Sequence, residues 1–452
     1  MSNLQRFLVL GLLLPSAALA QTEPLRAFYG AQGFGSLSTG GRGGDVYIVT
    51  NLSDSGPGSL RYGLERAFGP RTVVFEVGGI IEIEGNLRIR EKSHITIAGQ
   101  TAPGEGILLK GGTLQVDECE HLIVRHLRVR YGWDSGDNDA VSVSDTTDSI
   151  FDHISASWGM DETFSLTGTT HRVTVQDCII SEGVRHRHQY GMLIDTNESS
   201  GGRVTLFRNL FSNHLGRMPR ANSSENRPML LEMINNVVYN WGTGGDWAVQ
   251  GTALDAQTQS TWNFVKNYSI AGQTTFNEGY GRTILRGGEG RDRFHISGNV
   301  CDPDRDGILD GVPAGWDFVL GDYIPSETPF AVPDWAQVTA PSSAPVALEK
   351  IIDQAGAFPK RRDAVDTRLI LELQSWGTSG YVSGPANRPE WPALAESQGP
   401  ADTDRDGKPD YWEEWYGTPA EIASNNRVGQ DGYTALELYL DWLIHPWRVT
   451  AL

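Results

Sequence analysis

Two groups of oxygen-bearing side chains stand out for the chemistry that their types and spacing permit. The first lies in the run D-T-D-R-D-G-K-P-D-Y-W-E and comprises Asp402, Asp404, Asp406, Asp410 and Glu413, with Gly407 between them. It satisfies every position of a calcium loop: alternating carboxylates, glycine at the sharp bend, and a glutamate in the twelfth place to close the shell with both oxygens. Nothing beside it resembles a catalytic group, so the expected role is structural. A second run, with Asp302, Asp304, Asp306, Gly307 and Asp310, repeats the pattern but has Pro313 where the closing glutamate belongs. A weak calcium site and an acidic turn are equally good readings of it. Further on, DGYTALELYLDWL keeps Asp431 and Gly432 without the earlier carboxylates and reads as an amphipathic helix.

The second group is Asp137-Asn138-Asp139, followed by Asp161-Glu162, with Asp152 and His153 between them. If these segments stack one coil apart, at about 4.8 Å, their carboxylates converge on one face. Several hard oxygen donors with no soft ligand suit Ca²⁺, and a partly open site can admit substrate carboxylates. A solvated acidic edge and a general acid–base pair for glycoside hydrolysis fit the same residues. Between His171 and Arg227 the charge reverses: Arg172, Arg185, Arg187, Arg203, Arg208, Arg217, Arg220 and Arg227 occur with no lysine, alongside His186, His188 and His214. Guanidinium forks match carboxylates, which predicts an anion-binding face on a chain of formal charge -19. That overall charge excludes nucleic acid as a partner, because phosphate binding needs a basic footprint.

The elements that must position these groups repeat. HITIAG, HLIVRHLRVR, SIFDHISAS, HRVTVQDCII, RVTLFRNLF, MLLEMINNVVYN, TWNFVKNYSI and RFHISGNV begin about 22 to 32 residues apart, the signature of a solenoid. Alternation within each run sends one set of side chains inward and the other outward. A sandwich or propeller would not give such uneven repeats. Asn209, Asn235, Asn236, Asn240, Asn267 and Asn299 recur at comparable places, which predicts a turn ladder along the stack. The high glycine count, 53, agrees with many turns.

Residues 1–20 read as a secretory signal peptide, with Arg6, the apolar run FLVLGLLL and a small-residue site at Ala18-Leu19-Ala20. No stretch is long and apolar enough for a membrane helix. The product is therefore expected to be exported, either to the periplasm or the medium, and to act as a monomer without membrane contact. Residues 21–92 form an N-terminal cap and the first coils, with Ser59 capping a helix that presents Leu60, Leu64 and Ala67. Residues 93–301 form the core, and 302–452 run back over the coils or make a separate tail carrying the calcium loops. Three cysteines, Cys119, Cys178 and Cys301, are too few for a disulfide framework; they leave room for one bridge but read better as buried apolar residues.

The segments GGRGGDVYIVTNLSDSGPGSLR, GQTAPGEG, DND, FDHISASWGMDE, the R-x-P-R of Arg217 to Arg220, and INNVVYNWG together resemble the pectate lyases of polysaccharide lyase family one. The resemblance covers most of the chain, and DTDRDGKPDYWE is similar to the tails of some secreted members. It implies an all-β, right-handed parallel β-helix with three sheets. The implied activity is calcium-dependent β-elimination of α-1,4-polygalacturonate, an acidic polysaccharide, to unsaturated oligogalacturonides. By motif position, Asp137, Asp139 and Asp161 match the calcium ligands, Glu162 is an added candidate, Arg217 matches the base that takes the C5 proton, and Arg220 matches a substrate-binding arginine. A base of this kind implies an alkaline activity optimum. Two places depart from the family pattern. Its lysine ahead of the YGMLID strand is replaced by His188-Gln189-Tyr190, so Arg187 or His188 is expected to make that contact, and Asn222 stands where a second arginine often follows. A hydrolase or a carbohydrate-binding protein on the same scaffold is the alternative.

Overall fold

Short runs rich in β-branched residues, with no room for helices between them, pair most economically with the equivalent run one coil away. The computed structural model describes residues 24–132, 136, 138–184, 188–197, 201–223, 229–242, 248–251, 260–275, 282–382 and 390–450. The expected leader lies outside them. The described chain winds into a right-handed parallel β-helix of about nine turns with three faces. One face is the six-stranded ladder Leu87–Arg90, Leu114–Asp117, Val141–Ser144, Glu162–Gly168, Tyr190–Thr196 and Arg220–Ser223, parallel throughout. The other two faces share a corner. The strands Glu120–Arg130 and Thr147–Ser157 pass through it whole, so that Thr147–Ser157 pairs first with His171–Gln176 and then with Ile179–Ser181.

The corner is made by one left-handed residue per coil: His126, His153, Asp177, Arg208, Asn235, Lys266 and Gly298, with φ between 53° and 66°. Only the last of these is glycine, so elsewhere the conformation is imposed by stacking on the coils above and below. The residue after the corner forms the expected asparagine ladder, with four members. Asn209 Nδ2 donates to Asn236 Oδ1 (3.0 Å), Asn236 Nδ2 to Asn267 Oδ1 (3.1 Å), and Asn267 Nδ2 to Asn299 Oδ1 (3.2 Å). The same oxygens accept the backbone N–H of the preceding member, replacing ladder bonds that the bend interrupts. Asn235 and Asn240 stand outside this row; Asn240 Nδ2 donates to Asn213 Oδ1 (2.6 Å).

The interior is one apolar column from Val49 to Val319. Near its start, helix α1 (Leu60–Glu65) is capped by Ser59, whose side chain accepts from Tyr62 N, and it buries Leu60 and Leu64. The three cysteines are buried.

The chain beyond 302 travels back along the outside of the solenoid. Helices α2 (Ala344–Gln354) and α3 (Ala364–Leu373) lay Leu348, Ile351, Leu369 and Leu373 on Ile179, Leu210, Val237 and Ile270. Buried charge fixes the angle of α3: Arg130 donates to Asp363 (2.5 Å) and Asp366 (2.9 Å), all nearly without exposure. Helices α4 (Asp410–Tyr416) and α5 (Ala435–Trp442) then reach the first coils, where Trp412, Tyr416, Leu436 and Tyr439 cover Val74 and Ala98. Helix α5 is the amphipathic helix read from the sequence, and Thr434 and Glu437 form a capping box at its start.

Candidate functional site

The chemistry-bearing residues collect at the leading edge of the six-stranded face, where the chain turns into its strands. Each strand is held in register by its inward residues. Phe164 and Leu166 stack on Met192 and Ile194, leaving Ser165 and Leu193 facing out beside Ser142 and Arg220. The turns leading into four consecutive strands then superpose, bringing Asp139, Asp161, Glu162, His188 and Arg217 together.

Asp139 anchors the group. Its Oδ1 accepts from Glu162 N (2.9 Å) and its Oδ2 accepts from the Ser165 hydroxyl, so both oxygens are engaged. Asp161, Glu162 and His188 each offer one ligand atom, all within 4.8 Å of one another, and His188 Nε2 lies 2.5 Å from Asp161 Oδ1. Arg217 is clamped from two sides. Its Nη1 donates to Glu162 Oε1, and its guanidinium carbon sits 3.9 Å from the centre of the Tyr190 ring. The Arg217 backbone is left-handed at φ 57°, and its carbonyl accepts from Met192 N (2.5 Å).

The carboxylates feel one another. Burial, then Asp161, pushes Asp139 up to about 6 against the pull of Ser165 and Glu162 N. Burial also lifts Glu162 to about 7, with Asp139 and Asp161 adding to the rise and Arg217 opposing it. Three crowded carboxylates, with Asp139 and Glu162 raised chiefly by burial, are the donor set of a hard divalent cation, so these residues fit such an ion.

Arg220 stands one strand further along, on the outward row next to Leu193, and its Nε donates to Asn222 Oδ1 (3.4 Å). Burial raises the Asp195 carboxyl, and Arg220 offsets only part of that rise. Asp137 and Arg187 lie outside the described residues.

Among the described residues the broad arginine face expected from the sequence does not form; Arg185, His186, Arg187 and Arg227 lie outside them. Arg172 pairs with Asp148, Arg208 binds Asp177 (2.7 Å), and Arg203 donates to the carbonyls of Gly201 and Gly202, all away from the site edge. Spacing along the sequence placed them on other faces once the coil had turned. His214 is likewise structural: Gly183 N donates to its Nδ1 (3.2 Å), its Nε2 lies 3.1 Å from Ile180 O, and burial holds it down at about 3. Asp152 is fully buried against Arg125 (2.8 Å) on another face. The sequence reading missed Tyr190 and Ser165, and neither had a signal beyond its place on a strand facing the site.

In the C-terminal loop, Asp402, Asp404 and Asp406 gather within 4.8 Å. Asp410 instead accepts from Thr403 N (2.8 Å) and Thr403 Oγ1 (2.8 Å). Glu413 Oε1 accepts from Lys408 Nζ (3.0 Å), a fully buried ammonium that also binds Asp406. The twelve-residue pattern gave no warning of this, because position seven contributes only its carbonyl in a calcium loop.

No protein-family model matches the chain. Among curated proteins it is similar to a probable pectate lyase C of Aspergillus fumigatus, 39% identical over 439 residues, covering 96% of this chain and 97% of that one. Among solved structures it is similar to jun a 1, the major allergen from cedar pollen, with a TM-score of 0.56 and 19% identity over 72% of this chain and 92% of the other. A Bacillus subtilis pectate lyase matches with a TM-score of 0.51 and 14% identity, over 75% and 99% of the two chains. The structures share the fold, and the near full-length identity to the Aspergillus protein carries the relationship further: the chain belongs to the pectate lyases and is a polysaccharide lyase.

Proposed function

We propose that this chain is an exported, calcium-dependent lyase that cleaves α-1,4-polygalacturonate by β-elimination, releasing 4,5-unsaturated oligogalacturonides. The observation that carries the reading is the Arg217 guanidinium, fixed between Glu162 and Tyr190 at the rim of a crowded carboxylate cluster. Asp139, Asp161 and Glu162, together with Asp137, are the residues that would hold Ca²⁺. A bound Ca²⁺ supplies positive charge to a uronate carboxylate and so acidifies the proton beside it.

The protein's own groups supply the rest. Arg217, as the neutral guanidine, takes the proton from C5 of the uronate. The electron pair of that C–H bond becomes the C4–C5 double bond, and the C4–O4 glycosidic bond breaks with its electrons leaving on oxygen. The departing oxygen takes up a proton, and no water is consumed. Glu162 keeps the guanidinium aimed, and Tyr190 stacks beneath it. Arg220, on the outward row, and His188, at the place of the family lysine, contact the polymer's carboxylates.

The sequence pattern at residues 1–20 supports export, and no described helix is long and apolar enough to cross a membrane. The test is incubation with polygalacturonate, following ultraviolet absorbance of the unsaturated uronide with and without chelator. Absorbance that rises and that chelator abolishes is expected; new reducing ends without absorbance would mean hydrolysis.

A further inference from the structure

The loop from Asp302 to Asp310 is the motif that the catalytic reading leaves unused. It leaves the end of the strand Asn299–Asp302, whose last carbonyl accepts from Ala271 N (2.8 Å), so its first carboxylate is carried on a rigid element. Asp302, Asp304 and Asp310 each offer an oxygen within 4.8 Å of the other two. Acidic clusters on a surface are common, but Asp302 is not on the surface. It is 1% exposed, and its Oδ2 is buried with no hydrogen-bond partner. A buried carboxylate oxygen left without donor or cation is costly.

The loop's own cation does not relieve it. Arg305 turns away and gives its Nη1 to the carbonyl of Thr275 (2.9 Å). The contrast with the C-terminal loop is direct. Both have a left-handed arginine in the fourth place, Arg305 at φ 60° and Arg405 at φ 58°, and a left-handed glycine in the sixth. Position seven differs: Lys408 places an ammonium among the carboxylates of its loop, whereas Ile308 is 59% exposed and brings no charge to the other.

We propose that the Asp302–Asp310 loop binds a calcium ion through Asp302, Asp304 and Asp310, pinning the end coil to the returning chain. The loop already touches that chain, since Gly307 N donates to Trp376 O (3.3 Å). The same return segment reaches the solenoid again at Ser379, whose carbonyl accepts from the Tyr239 hydroxyl (2.6 Å). Oxygen donors alone, two of the three on exposed residues of an irregular loop, suit calcium. With no closing glutamate, its affinity falls in the range of extracellular modules, on the order of 10⁻⁴–10⁻³ M. The site is separate from the catalytic cluster and does not depend on that reading.

The full-length chain, stripped with chelator and dialysed to equilibrium against saturating radiolabelled calcium chloride, tests it. Wild type is expected to hold one calcium ion more per chain than Asp302→Asn or Asp310→Asn, and calcium is expected to raise its Tm further. Formation of unsaturated product at saturating calcium is expected to be the same in all three. Asp310 is exposed, so its variant reads the site even if Asp302→Asn does not fold. Equal calcium counts in wild type and Asp310→Asn overturn the proposal. A lost ion with an unchanged Tm response overturns the pinning role.

Discussion

Replacing Arg217 with lysine separates what this side chain does for the reaction from what it does for the fold. Alanine would confound the two: the Glu162 side chain is 4% exposed, and removing its cation leaves a buried carboxylate alone, at a cost of about 3–5 kcal/mol. Lysine keeps a positive charge beside Glu162 but gives up the planar fork and the stacking on Tyr190, which together amount to about 1–3 kcal/mol of stability. The chemical loss is larger. A positioned base contributes about 10²–10⁴ in rate, or roughly 3–5 kcal/mol of barrier at about 1.4 kcal/mol per decade. An ammonium at this place is shorter and aimed differently, so kcat is expected to fall by about 10²–10⁴. KM should move little, because Arg220 and His188 still meet the polymer. Initial rates of unsaturated uronide formation give kcat and KM, with circular dichroism melting as the check on folding. A folded Arg217→Lys enzyme that keeps more than about a tenth of wild-type kcat would refute the assignment of Arg217 as the base.

Three further outcomes follow from groups away from the reaction. Glu232 is 5% exposed, with a buried Oε2 lacking a partner, and burial raises it from 4.5 to about 7 despite hydrogen bonds from Asn263 and Thr205. The folded state therefore keeps a proton that the unfolded chain releases, so stability is lost as pH rises between those two values, by about 3 kcal/mol. Glu232→Gln should flatten that fall in urea midpoints, and an unchanged pH slope would show the cause lies elsewhere. Asn236→Ala should lower stability by about 3–5 kcal/mol with an unchanged m-value, because Asn209 loses its acceptor and two carbonyls lose a donor. A loss below about 1 kcal/mol would mean the ladder relaxes around the gap. Lys408→Met should destabilise the calcium-free protein and enlarge the Tm rise on adding calcium, since Asp406 and Glu413 lose their internal cation; equal rises in both proteins would count against that role.

The coils were readable because their signal is local: alternation and β-branched runs decide which side chains face inward, and stacking repeats the decision every turn. The asparagine ladder was readable for the same reason, since one residue recurs at one corner. The convergence of Asp139, Asp161 and Glu162 needed only the knowledge that successive turns superpose. What the sequence hid was orientation around the coil. Arg172, Arg203 and Arg208 look contiguous with Arg217 along the chain, yet a partial turn carries them off the face of the site and each into its own carboxylate or carbonyl. Lys408 was hidden differently. A pattern of ligands says nothing of a side chain at a position where only the carbonyl is expected, and its burial depends on Glu413 and Ser424 closing over the same pocket.

The path of the chain also constrains the order in which the molecule can be completed. The hydrophobic edge at Val74 and Ala98 belongs to the earliest coils, and the aromatic and leucine side chains that shield it come from α4 and α5. Winding can proceed from the amino end as the polypeptide emerges, but the first turns stay unsealed until almost the whole molecule has been made. Loss of the final helix by truncation would therefore be felt at the opposite end of the sequence, as a sticky first coil.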